Sequence, residues 1–219
     1  MLRYWFDRLK PHGAVLPSRQ AYALWAASYP PYAHNDFMRL EQATMQALMP
    51  PLRDQRVLDL ACGSGRYAAL AHAASAVIGL DNSLAMLRAG SGFPRVEGAM
   101  TALPFPDARF SVILCGLAVG HLDPQTLPCA IAEMARVLSP GGVLLFSDFH
   151  PYLYLSGGRR TFSAGNRHYT VEHYPHLIAD YFGAAQTAGL HILAIREPSA
   201  PVGDRVLPAV LVIKAEKRT

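Results

Sequence analysis

The stretch Val57-Leu-Asp-Leu-Ala-Cys-Gly-Ser-Gly-Arg-Tyr-Ala68 decides how the rest of the chain is read. Arg56 to Leu60 is a short apolar run that ends in a glycine-bearing turn, and a helical stretch opens at Arg66. Gly63 and Gly65 let the backbone take positive φ and approach a ligand closely. The amino end of the following helix offers N–H groups that have no partner inside the helix. By itself Gly63-x-Gly65-x-x-Ala68 also satisfies the loose dinucleotide fingerprint. Asp59 discriminates. It stands at the strand end, four positions before Gly63, where a carboxylate repels a pyrophosphate and suits a ligand bringing a cationic amino group to the loop. Asp81 is the second element, at the end of the next strand, where a carboxylate accepts from both hydroxyls of a ribose. A helix-capping role is the alternative for Asp81.

Working outward from this loop, apolar runs alternate with helical periods. Residues 36–48 have helical spacing at Phe37, Leu40, Thr44 and Leu48, with Asn35 as cap and Pro50-Pro51 as stop. Strands are predicted over 56–60, 76–80, 95–97, 110–115 and 142–147, and helices over 66–74, 83–89, 125–138 and 175–188. Residues 191–197 and 206–215 read as two closing strands able to pair as an antiparallel hairpin at the sheet edge. The alternation predicts an α/β fold: a Rossmann-like, doubly wound, mainly parallel sheet with helices on both faces. Near-continuous apolar strands suit a sheet buried on both sides.

The length of 219 residues fits one domain spanning 1–219, with an aromatic amino-terminal segment over 1–34, a ligand-binding core over 55–150 and an insert over 150–174. Half the residues are apolar, which supports a sizeable core and argues against disorder. No apolar run reaches the roughly 18 residues of a membrane helix, and Met1 to Lys10 lacks the pattern of a secretory signal, so cytoplasmic residence is expected. Cys62, Cys115 and Cys129 form no CxxC pair and read as buried free thiols. The net charge is +4, but the basic residues are scattered. Arg159, Arg160 and Arg167 form a loose cluster that reads as a solvated loop rather than a nucleic-acid stripe.

Asp59 to Gly65, followed by Gly79-Leu-Asp81-Asn-Ser, resembles the class I S-adenosylmethionine-dependent methyltransferases. Gly98 to Asp107 resembles the loop after their third strand, Phe110 to Asp123 the fourth strand and its rim, and Arg136 to Phe146 the helix, turn and fifth strand that follow. The matching segments run in order over roughly 55–150, and they look closest to the small-molecule branch that holds ubiquinone/menaquinone- and biotin-pathway-type enzymes. Ala61 departs from the family, which often has Gly there, and the loop is expected to keep its shape. The resemblance implies that S-adenosylmethionine is the cofactor and S-adenosylhomocysteine the product. Asp59, Ala61, Gly63 and Gly65 would line the methionine end and Asp81 would hold the ribose, with Asn82 and Ser83 beside it. Met86, Met100, Thr101 and Ala102 would border the adenine, and Cys115 and Leu117 the cofactor from the fourth strand. A core role is the alternative for Met86 and Leu117.

Methyl transfer from a sulfonium needs mainly positioning, and a base only where the acceptor must lose a proton. His121, after the fourth predicted strand, is the leading candidate for that base, with a capping or cofactor-contacting role as its alternative. His150, after the fifth, is the second, with a structural turn as its alternative. The insert carries several aromatics suited to a flat or apolar acceptor, and simple loop packing accounts for them equally. The amino-terminal segment resembles a lid, in which Tyr22 and Tyr29 reach the cofactor or substrate. His168 and His173 have no third ligand at metal-binding spacing, so no metal is expected.

The expected reaction is therefore methylation of an oxygen or carbon on a small-molecule acceptor, without nucleic acid or membrane insertion. The alternatives are a nicotinamide-dependent oxidoreductase and a protein that binds the cofactor without catalysis. Asp59 and the absence of a Tyr-x-x-x-Lys pair argue against the first. A DNA-amino methyltransferase would carry a Pro-Pro-aromatic motif after the fourth strand, where this chain has Cys115-Gly-Leu.

Overall fold

The computed structural model describes residues 13–202 and 204–218. Its first elements are strand β1 (Ala14–Leu16), helix α1 (Ser18–Trp25), helix α2 (Asp36–Leu48) and strand β2 (Arg56–Leu60). Then come α3 (Arg66–Leu70), β3 (Ala76–Asp81), α4 (Leu84–Ala89), β4 (Arg95–Glu97) and β5 (Phe110–Gly116). The second half holds α5 (Thr126–Val137), β6 (Leu138–Phe149), α6 (Pro151–Leu155), β7 (Thr161–Ala164), β8 (Arg167–Val171) and α7 (Ile178–Thr187). The chain closes with β9 (Leu190–Arg196), β10 (Ser199–Val202), β11 (Arg205–Pro208) and β12 (Val210–Lys217).

Seven strands form the central sheet in the order β4-β3-β2-β5-β6-β12-β9. β2 to β6 are mutually parallel, and β12 runs antiparallel between β6 and β9. The fold class is the expected one. Alternate residues of each strand enter two cores. Leu58, Ile113, Leu144 and Phe146 pack on one face with Ile131, Met134 and Tyr181 of α5 and α7. Val57, Val112, Leu114 and Leu145 pack on the other with Phe37, Met45, Tyr67 and Ala71. Both faces are dry, which is why these strands read as continuous apolar runs.

The strand order reverses between β2 and β5, and such a reversal opens a crevice beyond the carboxyl ends of the strands. A second, three-stranded sheet of order β1-β8-β7 stands beside it. It joins the amino-terminal segment to the insert, with β1 parallel to β8 and Trp25 stacked on Phe162 at 4.8 Å.

Three local expectations are corrected. The buried face of α2 is Phe37, Met38, Glu41 and Met45, while Leu40, Thr44 and Leu48 are half-buried. Asn35 caps that helix as expected, accepting from Met38 N at 2.8 Å. The closing strands do pair antiparallel, but the connection between them folds into its own hairpin, β10-β11, which covers the α2 side of the sheet. Finally, Cys129 is exposed, whereas Cys62 and Cys115 are buried.

Candidate active site

The crevice is a cleft enclosing about 830 Å³, its open mouth included, at the carboxyl ends of β2, β3 and β5. Asp59 and Asp81 end adjacent strands and both line it, 1% and 8% exposed. One oxygen of Asp59, Oδ2, accepts from the backbone N–H of Ala68 in the first turns of α3 at 2.8 Å. Burial dominates its ionisation and pushes its carboxyl up to about 7, against the opposing Ala68 N–H. Asp81 is raised as well, again chiefly by burial, although Oδ1 accepts from Ser83 N and Oδ2 from Gly63 N, each at 2.8 Å. A carboxylate has about four lone-pair positions, so both aspartates keep acceptor capacity for a ligand.

The loop between them turns through left-handed backbone at Ala61, Gly63 and Gly65, with φ of 54°, 55° and 96°. Ala61 thus occupies a conformation that glycine adopts at lower cost, and the loop keeps its shape regardless. Gly65 is also sterically required, because a Cβ there would sit 2.2 Å from Cε1 of Phe93. Ser64 Oγ lies buried in the cleft wall with no hydrogen-bond partner among the described residues. An orphaned hydroxyl in such a place fits a polar ligand that completes it.

Behind the loop, Glu41 of α2 is fully buried and gathers three donors. It accepts from Arg66 Nη1 at 2.6 Å, Tyr67 Oη at 2.6 Å and Ser147 Oγ at 2.5 Å, which ties α2, α3 and β6 together under the cleft. Ser147 in turn accepts the N–H of Leu117 through both its Oγ and its carbonyl, each at 3.0 Å. Leu117 has a φ of +57°, an outlying conformation for a branched residue, held by these bonds at the rim of β5.

Tyr22 of α1, Tyr29, His121 and Arg160 form the opposite wall. His121 Nδ1 lies 2.7 Å from the carbonyl oxygen of Glu172, which can only accept, so this nitrogen carries the ring proton. Its Nε2 then accepts, and it stands 3.0 Å from Arg160 Nη1 and 3.2 Å from Tyr22 Oη. Burial, reinforced by the Arg160 charge, holds this imidazole well below its ordinary pKa. His121 is therefore neutral near pH 7, and it stands in the cleft wall with its Nε2 lone pair facing Arg160 and Tyr22.

Of the other expected residues, Ala61, Asn82, Met86, Met100 and Leu117 line the cleft. Ser83 lies behind it as the cap of α4, with Oγ accepting from Met86 N at 3.4 Å. Cys115 is sealed in the sheet core, and Thr101 and Ala102 belong to a turn closed by the Ala99–Ala102 bridge, outside the lining. His150 is corrected outright. It caps α6, accepting from Tyr152 N at 3.2 Å, and its Nε2 meets Glu197 Oε1 at 2.8 Å, away from the cleft. Its alternative, a structural turn, is what the fold contains.

Two arginines escaped the sequence reading. Arg66 sits one position past the glycine loop, so its place in the cleft was legible from the motif. Arg160 was read as a solvated loop residue but is 5% exposed and faces the cleft, a position set by the packing of the insert and carrying no local sequence signal.

Residues 58–146 match the family model described as a methyltransferase domain. An uncharacterized methyltransferase of Synechocystis is 37% identical over 101 residues, covering 44% of this chain and 48% of that protein. A demethylmenaquinone methyltransferase of Renibacterium salmoninarum is 38% identical over 103 residues, covering 44% of this chain and 43% of its own. The chain thus spans about half the length of the curated relatives it matches. Among solved structures, an S-adenosylmethionine-dependent methyltransferase of Mesorhizobium loti superposes with a TM-score of 0.66 at 23% identity, covering 81% of this chain and 98% of its own. The chain has the class I S-adenosylmethionine-dependent methyltransferase fold.

Proposed function

We propose that this chain is a cytoplasmic S-adenosylmethionine-dependent methyltransferase acting on an oxygen or carbon of a small-molecule acceptor, in the branch that includes ubiquinone/menaquinone- and biotin-pathway-type enzymes. The observation that carries the reading is the pair Asp59 and Asp81, ending neighbouring parallel strands on either side of a left-handed glycine loop in one cleft. When bound, S-adenosylmethionine supplies an electrophilic methyl: the acceptor's electron pair forms the new bond to carbon as the C–S bond breaks toward sulfur.

The residues supply position and charge. Asp59 receives the cationic amino group of the methionine portion, which favours its ionised form over the neutral one that burial imposes. Asp81 is already oriented by Gly63 N and Ser83 N, and its remaining lone pairs receive the ribose hydroxyls. Met86 and Met100 offer soft apolar surface to the adenine. Tyr22, Tyr29, His121 and Arg160 close the acceptor side and limit the entry of water.

Calorimetry of S-adenosylmethionine, S-adenosylhomocysteine, NAD and NADP against wild type and Asp81→Ala tests the reading. The sulfur cofactors are expected to bind and the nicotinamide cofactors not. Loss of two hydrogen bonds to a charged acceptor, about 1.5–3 kcal/mol each, predicts that Asp81→Ala weakens binding about 100-fold or more. Preference for NAD, or equal affinity in the variant, would sink the proposal.

A further inference from the structure

Among the described residues two guanidinium groups line the cleft, and of these one is neutralised and the other is not. Arg66 is paired with the carboxylate of Glu41. Arg160 is held through a single nitrogen, Nη1, whose two protons are shared among Tyr22 Oη, Leu117 O at 2.9 Å and His121 Nε2 at 3.0 Å. All three acceptors are neutral. Among the described residues no carboxylate lies within ion-pairing distance of Arg160, and none accepts from its Nε or Nη2. The buried carboxylate on that side, Asp148, feels the Arg160 charge but accepts from Tyr181 Oη at 2.6 Å and Phe149 N at 2.8 Å and makes no hydrogen bond or ion pair with the guanidinium. The guanidinium also lies over the ring of Phe149, 5.1 Å from its centroid, which fixes the plane of the fork.

A buried cation with no directly paired anion carries a desolvation cost, and pairing with an anion offsets it. The free edge of a guanidinium is a planar fork matched to a carboxylate. We propose that Arg160 is a clamp for a carboxylate carried by the methyl acceptor, so that the acceptor is a small organic acid rather than a neutral metabolite. This deepens, and rests on, the methyltransferase reading of the cleft. Tyr22 contributes to the same subsite. Arg160 and Tyr22 both reach for the one lone pair of His121 Nε2, so when Arg160 occupies it the Tyr22 hydroxyl proton is free for the acid. Leu117, held in its left-handed conformation with its carbonyl on Arg160, sets the height of the clamp over the end of β5.

The test follows the Nε–H resonance of Arg160 in protein saturated with S-adenosylhomocysteine, while acetate and benzoate are titrated beside acetamide and benzamide. Each carboxylate is expected to move the resonance with at least about tenfold higher affinity than its amide, the yield of one charge-assisted hydrogen bond. Arg160→Met should abolish the preference in calorimetry, Arg160→Lys should retain part of it, and both should leave S-adenosylhomocysteine affinity within about twofold. Equal response to acid and amide overturns the proposal. So does a large loss of S-adenosylhomocysteine affinity in Arg160→Met, which would assign the guanidinium to the cofactor's own carboxylate. Should the methionine variant fail to fold, the wild-type comparison of acid with amide decides. Failure of S-adenosylhomocysteine to bind wild type would refute the cofactor reading instead, and the same titration on the free protein would still judge the clamp.

Discussion

If Asp59 receives the cofactor's amino group as proposed, binding should depend on pH through its buried carboxyl. Burial lifts its carboxyl to about 7, so near neutrality about half of the free molecules carry a proton there. A cationic amino group can be received only by the carboxylate, so binding must expel that proton. Affinity then scales with the ionised fraction. That fraction rises from about one-tenth at pH 6 to about one-half at pH 7, which predicts about fivefold tighter binding, approaching tenfold per unit at lower pH. Asp81 is raised in the same direction, also by burial.

The sign for stability is opposite. A folded-state pKa above the unfolded value of 3.8 means that the folded free protein holds the proton more tightly. Its contribution is lost as pH rises from 3.8 through about 7, and S-adenosylhomocysteine should remove this loss by stabilising the ionised form. The assay is calorimetric titration with S-adenosylhomocysteine at pH 5.5, 6 and 7, each in two buffers of different ionisation enthalpy, on wild type and Asp59→Asn. Wild type should release a proton on binding and tighten with pH. The asparagine variant should bind weakly and lose the Asp59 part of the slope. A wild-type affinity flat over this range, or proton uptake on binding, would refute the assignment of Asp59 to the amino group.

Two further outcomes rest on the frame of the cleft. Glu41→Ala strands the buried Arg66 guanidinium and the hydroxyls of Tyr67 and Ser147, and is expected to destabilise by about 3–5 kcal/mol in urea denaturation. A midpoint shift no larger than that of an exposed substitution would show that this network holds nothing together. Gly65→Ala meets both a left-handed φ of 96° and the Phe93 ring, whereas Gly92→Ala, at φ 86°, meets no atom within 4 Å. Both should lose about 1–2 kcal/mol to backbone strain, and only Gly65→Ala should lose more and also weaken S-adenosylhomocysteine binding, by thermal melting and calorimetry.

Much of the fold was legible because its signals are local. The alternation of apolar runs with helical periods reports a sheet buried on both faces, and the Asn35 cap marks a helix start within a single turn. The face of α2 was misjudged because Glu41 and Met38, not Leu40 and Thr44, point inward. A charged residue can occupy the buried face only when donors from distant segments, here Arg66, Tyr67 and Ser147, meet it there. No period in the helix itself encodes those partners. His121 and His150 were the first and second sequence candidates, each following an apolar strand. Their surroundings separate them: His150 turns to Glu197 in the link between β9 and β10, and His121 turns to the cleft with its lone pair facing an arginine 39 positions away.

The sequence by itself determined the glycine loop, the two carboxylates and the strand rhythm that sets them at one sheet edge, because each depends on residues within a few positions of one another. Only the tertiary structure decided the opposite wall. Tyr22, the Leu117–His121 stretch and Arg160 come from three separate segments, brought together when β1 pairs with β8 and the insert folds down over the end of β5. Long-range packing, not local propensity, buried Arg160 and engaged the His121 lone pair, and so the charge of the acceptor side is a property of the fold.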